Sequence, residues 1–209
     1  PPLGRSARPM SGRQVFCRRE KEQTHIIIGV RGTSLYQPDR YPLRVLESVL
    51  SSQGGRLFVE LREKRSLAYT VSARSLEGLD PFVFFVYIAT SPEKVEAALE
   101  GMTSELRKVA EQGVTAAEVE RAKRYLVGSY EIELQKNSTL AATLAFDERY
   151  GLGHQELDVY AQRILSVTPD MIQQVTRTYL VMAQPVVVIV GPSPSRDMAV
   201  EPSAARVLS

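Results

Sequence analysis

Tryptophan is absent, cysteine occurs once and histidine twice in these 209 residues, and each scarcity removes a class of explanation. A lone Cys17 excludes an internal disulfide. It suits a reducing compartment, although many periplasmic domains also lack disulfides. A catalytic zinc takes three protein ligands and an open position for water, and His25 and His154 stand in neither an H-x-x-E-H nor an H-E-x-x-H frame. No metal site is therefore expected in this chain. Its longest apolar stretches, 81–89 and 185–190, are strand-length and far below the roughly 20 residues of a membrane helix. Charge of one sign is lacking too: 26 Lys and Arg face 24 Asp and Glu, so nothing calls for nucleic acid or an anionic membrane. No serine stands in a G-x-S-x-G elbow, and Gly54-Gly55 lacks the Lys-Ser/Thr of a phosphate loop. No signal peptide is visible, and the chain opens on Pro1-Pro2 rather than Met, so localisation stays open between cytoplasm and periplasm if the source is bacterial.

A hydrophobic content of 44% in a chain of this length can bury one full core. Residues 1–13 mix Pro, Gly, Ser and Arg without apolar periodicity and read as a linker or arm, whereas 192–209 read as a flexible tail. Between them, 14–191 read as a single domain. From Gln14 the pattern turns apolar, and 24–30 form a β-branched strand. Pro42 suits the first turn of a helix with Leu43, Leu46, Val49 and Leu50 at helical spacing, broken at Gly54-Gly55. A short helix over 56–64, a strand over 68–75, a turn at 77–80 and a strand over 81–90 follow, the last two elements making a hairpin. Ser91 and Pro92 open a helix ending at Gly113, and Thr115 with Glu118 forms the capping box of a long one. Helices over 138–150, 156–165 and 169–180, the last capped by Thr168, precede a closing strand at 185–190. The order predicts an α+β fold, an antiparallel sheet with several helices packed on one face.

The run from Gly54 to Ser75, GGRLFVELREKRSLAYTVSARS, sets Arg62 and Tyr69 seven residues apart across a helix-to-strand change. It resembles the second-domain signature of the pitrilysin-type (M16, insulinase) zinc metallopeptidases, the family of insulin-degrading enzyme and the mitochondrial processing peptidase. The resemblance covers roughly 21–191, with a loosely matched entry at Glu20-Lys21-Glu22-Gln23. It implies a non-metal C-terminal domain whose Arg and Tyr reach a site where another domain holds zinc. The helix corresponding to the one that carries H-x-x-E-H in the metal-binding domain offers Leu46-Glu47-Ser48-Val49-Leu50 here.

On that resemblance the catalytic residues are Tyr69, donating its hydroxyl to the substrate carbonyl or oxyanion, and Arg62, anchoring bound peptide through its planar fork. No cofactor is expected in this chain, and zinc is expected in the partner domain. The implied partners are a zinc-bearing homologous domain or subunit and an unfolded peptide substrate, with no nucleic acid and no membrane. Against this stands the plain reading that Tyr69 is an ordinary strand aromatic and Arg62 a surface residue of an amphipathic helix. His25 reads as a hydrogen-bonded edge residue, His154 as a turn or helix-entry residue and Cys17 as an inert half-buried thiol. One rival function is a non-catalytic assembly subunit, like the core proteins of respiratory complexes, which has no physical need for both Arg62 and Tyr69. Another is a generic α+β binding module, which a Tyr69 pointing into the core would support.

Overall fold

Alternation along the strands builds the scaffold. The computed structural model describes residues 12–181 and 184–192. Five strands, β1 (Gln14–Arg18), β2 (Thr24–Arg31), β3 (Thr70–Leu76), β4 (Val83–Thr90) and β5 (Val186–Gly191), lie in one sheet in the order β1-β5-β2-β4-β3. In β2 the residues Thr24, Ile26, Ile28 and Val30 are buried while those between are half-buried, and β4 and β5 repeat the pattern through Phe84, Val86, Ile88, Val187 and Ile189. Because the side-chain period of a strand is two, this places one apolar row against the helices and leaves the other row half-exposed.

The helices are α1 (Arg40–Ser51), α2 (Val95–Gln112), α3 (Ala116–Leu134), α4 (Asn137–Arg149), α5 (Glu156–Leu165) and α6 (Pro169–Thr176). α1 buries Leu43, Leu46, Val49 and Leu50 in a common core with Ile26, Ile88, Leu106 and Ile189. α2 follows a 3₁₀ turn, Pro92–Lys94, and stops at Gly113, whose φ of +73° is a left-handed conformation that glycine adopts at little cost. α3 starts with the expected capping box, and the Thr168 hydroxyl accepts from Met171 N–H at the start of α6. Ser91 departs from expectation. It precedes the 3₁₀ turn, but its side chain makes no cap hydrogen bond.

The α+β architecture with a mostly antiparallel sheet matches the expected fold. Two details differ. Residues 14–18 form an edge strand, β1, that pairs parallel to β5, so the sheet is mixed at one side. His25 lies in β2, the middle strand, and so is not at a sheet edge. The expected arm, 1–13, and tail, 192–209, fall almost wholly outside the described residues.

Candidate functional site

The frame that carries Arg62 begins at a tight turn. A Cβ on Gly55 would come within 2.7 Å of the Leu50 carbonyl, so only glycine fits, and its N–H donates to Ser52 O at 2.7 Å. Gly54 is under no such demand; its nearest neighbour would be Arg121 Nε at 3.7 Å. Arg56 then anchors the segment to the start of α3, donating from Nε and Nη2 to Glu118 at 2.6 and 2.8 Å and from Nη2 to the Gly113 carbonyl at 3.0 Å. The Arg56 hydrogen bonds, opposed by burial and reinforced by Thr115, hold the Glu118 carboxyl at about 2.

The expected short helix is present, but Phe58–Lys64 is wound as a π-helix, a rare winding that concentrates at functional sites. Leu57 and Leu61 point into the core, each worth roughly 1.5–3 kcal/mol of burial. Gly101 of α2 admits Leu61: a Cβ there would lie 2.6 Å from Leu61 Cδ2. On the outer side Arg62 is exposed, its guanidinium 5.0 Å from the centre of the Phe58 ring, a cation–π distance.

The connection to Tyr69 is held at every step. Ser66 has φ of +51°, a left-handed conformation uncommon outside glycine, and its carbonyl accepts from Lys94 Nζ at 3.1 Å. Leu67 N–H donates to Leu61 O at 2.7 Å, and the buried Thr90 hydroxyl donates to Leu67 O at 2.6 Å. Tyr69 N–H donates to Ala89 O at 2.9 Å, and Tyr69 immediately precedes β3 where the strand expected over 68–75 would have included it. Its side chain is 57% exposed. The support that a core-facing Tyr69 would lend the generic binding module is therefore absent. Among the described residues neither the Tyr69 hydroxyl nor the Arg62 guanidinium takes part in a hydrogen bond or ion pair, whereas the neighbouring Lys64 pairs with Glu60 at 3.0 Å.

β3 is an edge strand, yet α1 blunts it: Glu47 accepts from Ser75 N–H at 2.8 Å, and Ser51 Oγ donates to Ala73 O at 3.3 Å. The other residues singled out by sequence stay apart from this segment. His25 Nδ1 is 2.8 Å from the Tyr87 hydroxyl, and His154 lies in the α4–α5 turn beside Glu148 at 3.1 Å. Cys17 is half-buried in β1. Among the described residues no three His, Cys, Asp or Glu side chains converge to hold a metal ion, so the donor set here does not fit zinc.

Comparison with known proteins gives this arrangement a family. Residues 2–126 match the family model described as the peptidase M16 inactive domain. Over 193 residues the chain is 34% identical to an uncharacterized zinc protease of Streptomyces coelicolor, a match spanning 92% of this chain and 42% of that protein. The chain belongs to the M16 peptidase family, as an inactive domain. It spans 42% of the Streptomyces coelicolor protein's length and 39% of an uncharacterized zinc protease of Mycobacterium bovis. Two solved structures share the fold. The M16 inactive domain from Pseudomonas fluorescens superposes with a TM-score of 0.80 at 22% identity, covering 88% of this chain and 45% of that one. A chain of complex III2 from Candida albicans superposes with a TM-score of 0.76 at 17% identity, covering 86% and 46%.

This M16 domain also holds a polar network that no sequence pattern indicated. Arg40 and Arg163 both donate to Glu156, the latter at 2.6 Å, and the Tyr41 hydroxyl donates to Glu156 Oε1 at 2.5 Å. Arg44 grips Glu77 with two donors at 3.0 and 2.9 Å. Near them Tyr130 packs against Tyr160 with tilted rings whose centres are 4.3 Å apart, and burial, then the Asp147 charge, pushes the Tyr130 hydroxyl up to about 12. Arg40 and Glu156 are 116 residues apart, a separation that local patterning cannot register.

Proposed function

We propose that this M16 inactive domain is the substrate-contacting, zinc-free half of an endopeptidase acting on unfolded peptides. It works beside a homologous zinc-bearing domain or subunit. The observation that carries the reading is the pair of uncommitted polar tips, Tyr69 hydroxyl and Arg62 guanidinium, on a segment whose backbone is fixed at Leu61, Leu67, Thr90 and Ala89. A donor held in place before the reaction needs little reorganisation as negative charge develops on a peptide carbonyl, which is the condition for strong transition-state stabilisation. Tyr69 supplies that donor. Arg62 offers two parallel N–H groups to a backbone carbonyl or carboxylate of bound peptide, and so acts in binding as well as in the transition state.

The fold shared with a chain of complex III2 from Candida albicans supports a second reading, a non-catalytic assembly subunit. The two readings separate on one experiment. In the complete protein that contains this domain, or in this chain combined with a zinc-bearing partner, Tyr69→Phe is expected to lower kcat by roughly 10²- to 10³-fold with little change in KM. This chain alone is expected to leave the same peptides intact. Because the Tyr69 hydroxyl has no partner among the described residues, the variant should unfold at the wild-type midpoint, which isolates the catalytic effect. Wild-type turnover by Tyr69→Phe would leave the assembly reading standing.

A further inference from the structure

Away from the Arg62–Tyr69 segment, α1, α3, α4 and α5 line a cavity of about 470 Å³ whose wall holds a buried carboxylate oxygen with no hydrogen-bond partner among the described residues. Its arginines are all engaged: Arg40 bonds to Glu156, Arg44 to Glu77 at 2.9 Å, and Arg74 reaches Glu47 at 3.4 Å. Two lining carboxylates remain, Glu133 and Asp147. Glu133 is exposed and solvated. Asp147 is not: it is 5% exposed, it is the buried residue of α4, and its Oδ2 is sealed from solvent with no hydrogen-bond partner among the described residues.

A polar atom in that state costs about 1–3 kcal/mol, and more when charged, unless a donor reaches it. The surroundings do not supply one. Burial, and then the Glu156 charge, push the Asp147 carboxyl above the ordinary range, with Arg40 pulling the other way. Tyr125, Tyr130 and Phe146 present aromatic surface in the same cavity, and ring faces attract cations, most strongly when both are desolvated. A compact metal ion is a poor match, since among the described residues no third acidic, histidine or cysteine ligand converges there. A cation with an apolar stem suits both parts of the wall, its head at the carboxylate and its stem along the rings.

We infer that this cavity binds an organic cation, an ammonium or guanidinium on an aliphatic stem, with its head on Asp147 and its stem against Tyr125, Tyr130 and Phe146. A lysine or arginine side chain of a peptide and a free polyamine share this chemistry. The site stands whether or not Tyr69 takes part in catalysis.

The test titrates the 209-residue chain with Nα-acetyl-lysine methylamide, Nα-acetyl-arginine methylamide and spermidine, using Nα-acetyl-norleucine methylamide as the uncharged control, followed by calorimetry and amide NMR. Saturable binding of a basic probe, with shifts at Asp147 and Tyr130 and none from the control, is expected; the blocked amino acids and spermidine distinguish the two sources. Asp147→Asn is expected to weaken that binding by about tenfold or more, as loss of a charge-assisted contact should. Tyr125→Ala, at a side chain 58% exposed and free of core packing, is expected to weaken it several-fold and serves if the first variant folds poorly. No saturation by any basic probe up to about 10 mM, the weak end of specific binding, overturns the inference. So does binding that both variants leave unchanged.

Discussion

Glu118→Gln tests how firmly the Arg62 frame is tied to the rest of the domain. Glu118 performs two tasks with one side chain. It closes the capping box with Thr115, accepting from Thr115 N–H at 2.8 Å, and it receives both Arg56 donors at 2.6 and 2.8 Å. Glutamine can retain the box, because its amide oxygen still accepts from the backbone, so the variant removes mainly the charge. The carboxyl is held at about 2 against an ordinary 4.5, and at about 1.4 kcal/mol per unit that displacement corresponds to roughly 3 kcal/mol. Screening at a helix start open to water on one side reduces the expected loss to about 1–2 kcal/mol. The sign follows from a depressed carboxylate. Its stabilisation is fully present above the unfolded value near 4.5 and is lost as pH falls from there towards about 2. Urea unfolding of wild type and variant at pH 7 and at about pH 2.5 reads this out as a shift in midpoint with unchanged slope. At pH 7 the variant should be the weaker by that amount, and the gap should shrink sharply at the lower pH. A gap that persists unchanged in acid, or no gap at pH 7, refutes the assignment of the stabilisation to the Arg56–Glu118 charge pair.

Arg62→Ala in the assembled protein is expected to lower kcat/KM through both kcat and KM, and Arg62→Lys to recover only part of it, because an ammonium cannot reproduce the planar fork. Steady-state kinetics with a quenched peptide decide this, and an effect on kcat alone would place Arg62 outside substrate anchoring. Elemental analysis of the purified chain should find no stoichiometric zinc, since His25 is engaged with Tyr87 and His154 with Glu148 on separate elements. One zinc per chain surviving mild chelation would contradict that donor inventory.

Where the sequence was legible, the signals were local. Thr115 and Glu118 announce the start of α3, Thr168-Pro169 the start of α6, and the turn around Gly78 the β3–β4 hairpin, because each depends on bonds between residues a few positions apart. β1 was not legible as a strand. Its five residues carry little alternation of their own, and pairing with β5, some 170 positions away, is what makes them one. The π-winding of Phe58–Lys64 escaped because Leu57, Phe58 and Leu61 fit an ordinary helix equally well. The Asp147 cavity left no trace either. α4 buries so little that its periodicity is nearly flat, and Asp147 gains meaning only beside Arg40, Tyr130 and Glu156 from three other helices.

Stability alone gives a poor account of the segment between Leu61 and Tyr69. Ser66 occupies a left-handed conformation that costs a non-glycine residue roughly 1–2 kcal/mol, and that cost persists only where surrounding structure over-determines it. Here Leu61, Thr90, Lys94 and Ala89 do so, through bonds to Ser66, Leu67 and Tyr69. Tyr69, at the end of this constraint, returns little: its backbone donates one hydrogen bond, while its side chain stays mostly in solvent and its hydroxyl meets no partner among the described residues. A connection needed only to join a helix to an edge strand could place glycine in the left-handed position and any polar residue at the strand entry. The backbone constraint instead fixes where one exposed phenol leaves the chain, and on the proposed reading that placement offers an uncommitted donor to a site completed by the zinc-bearing half.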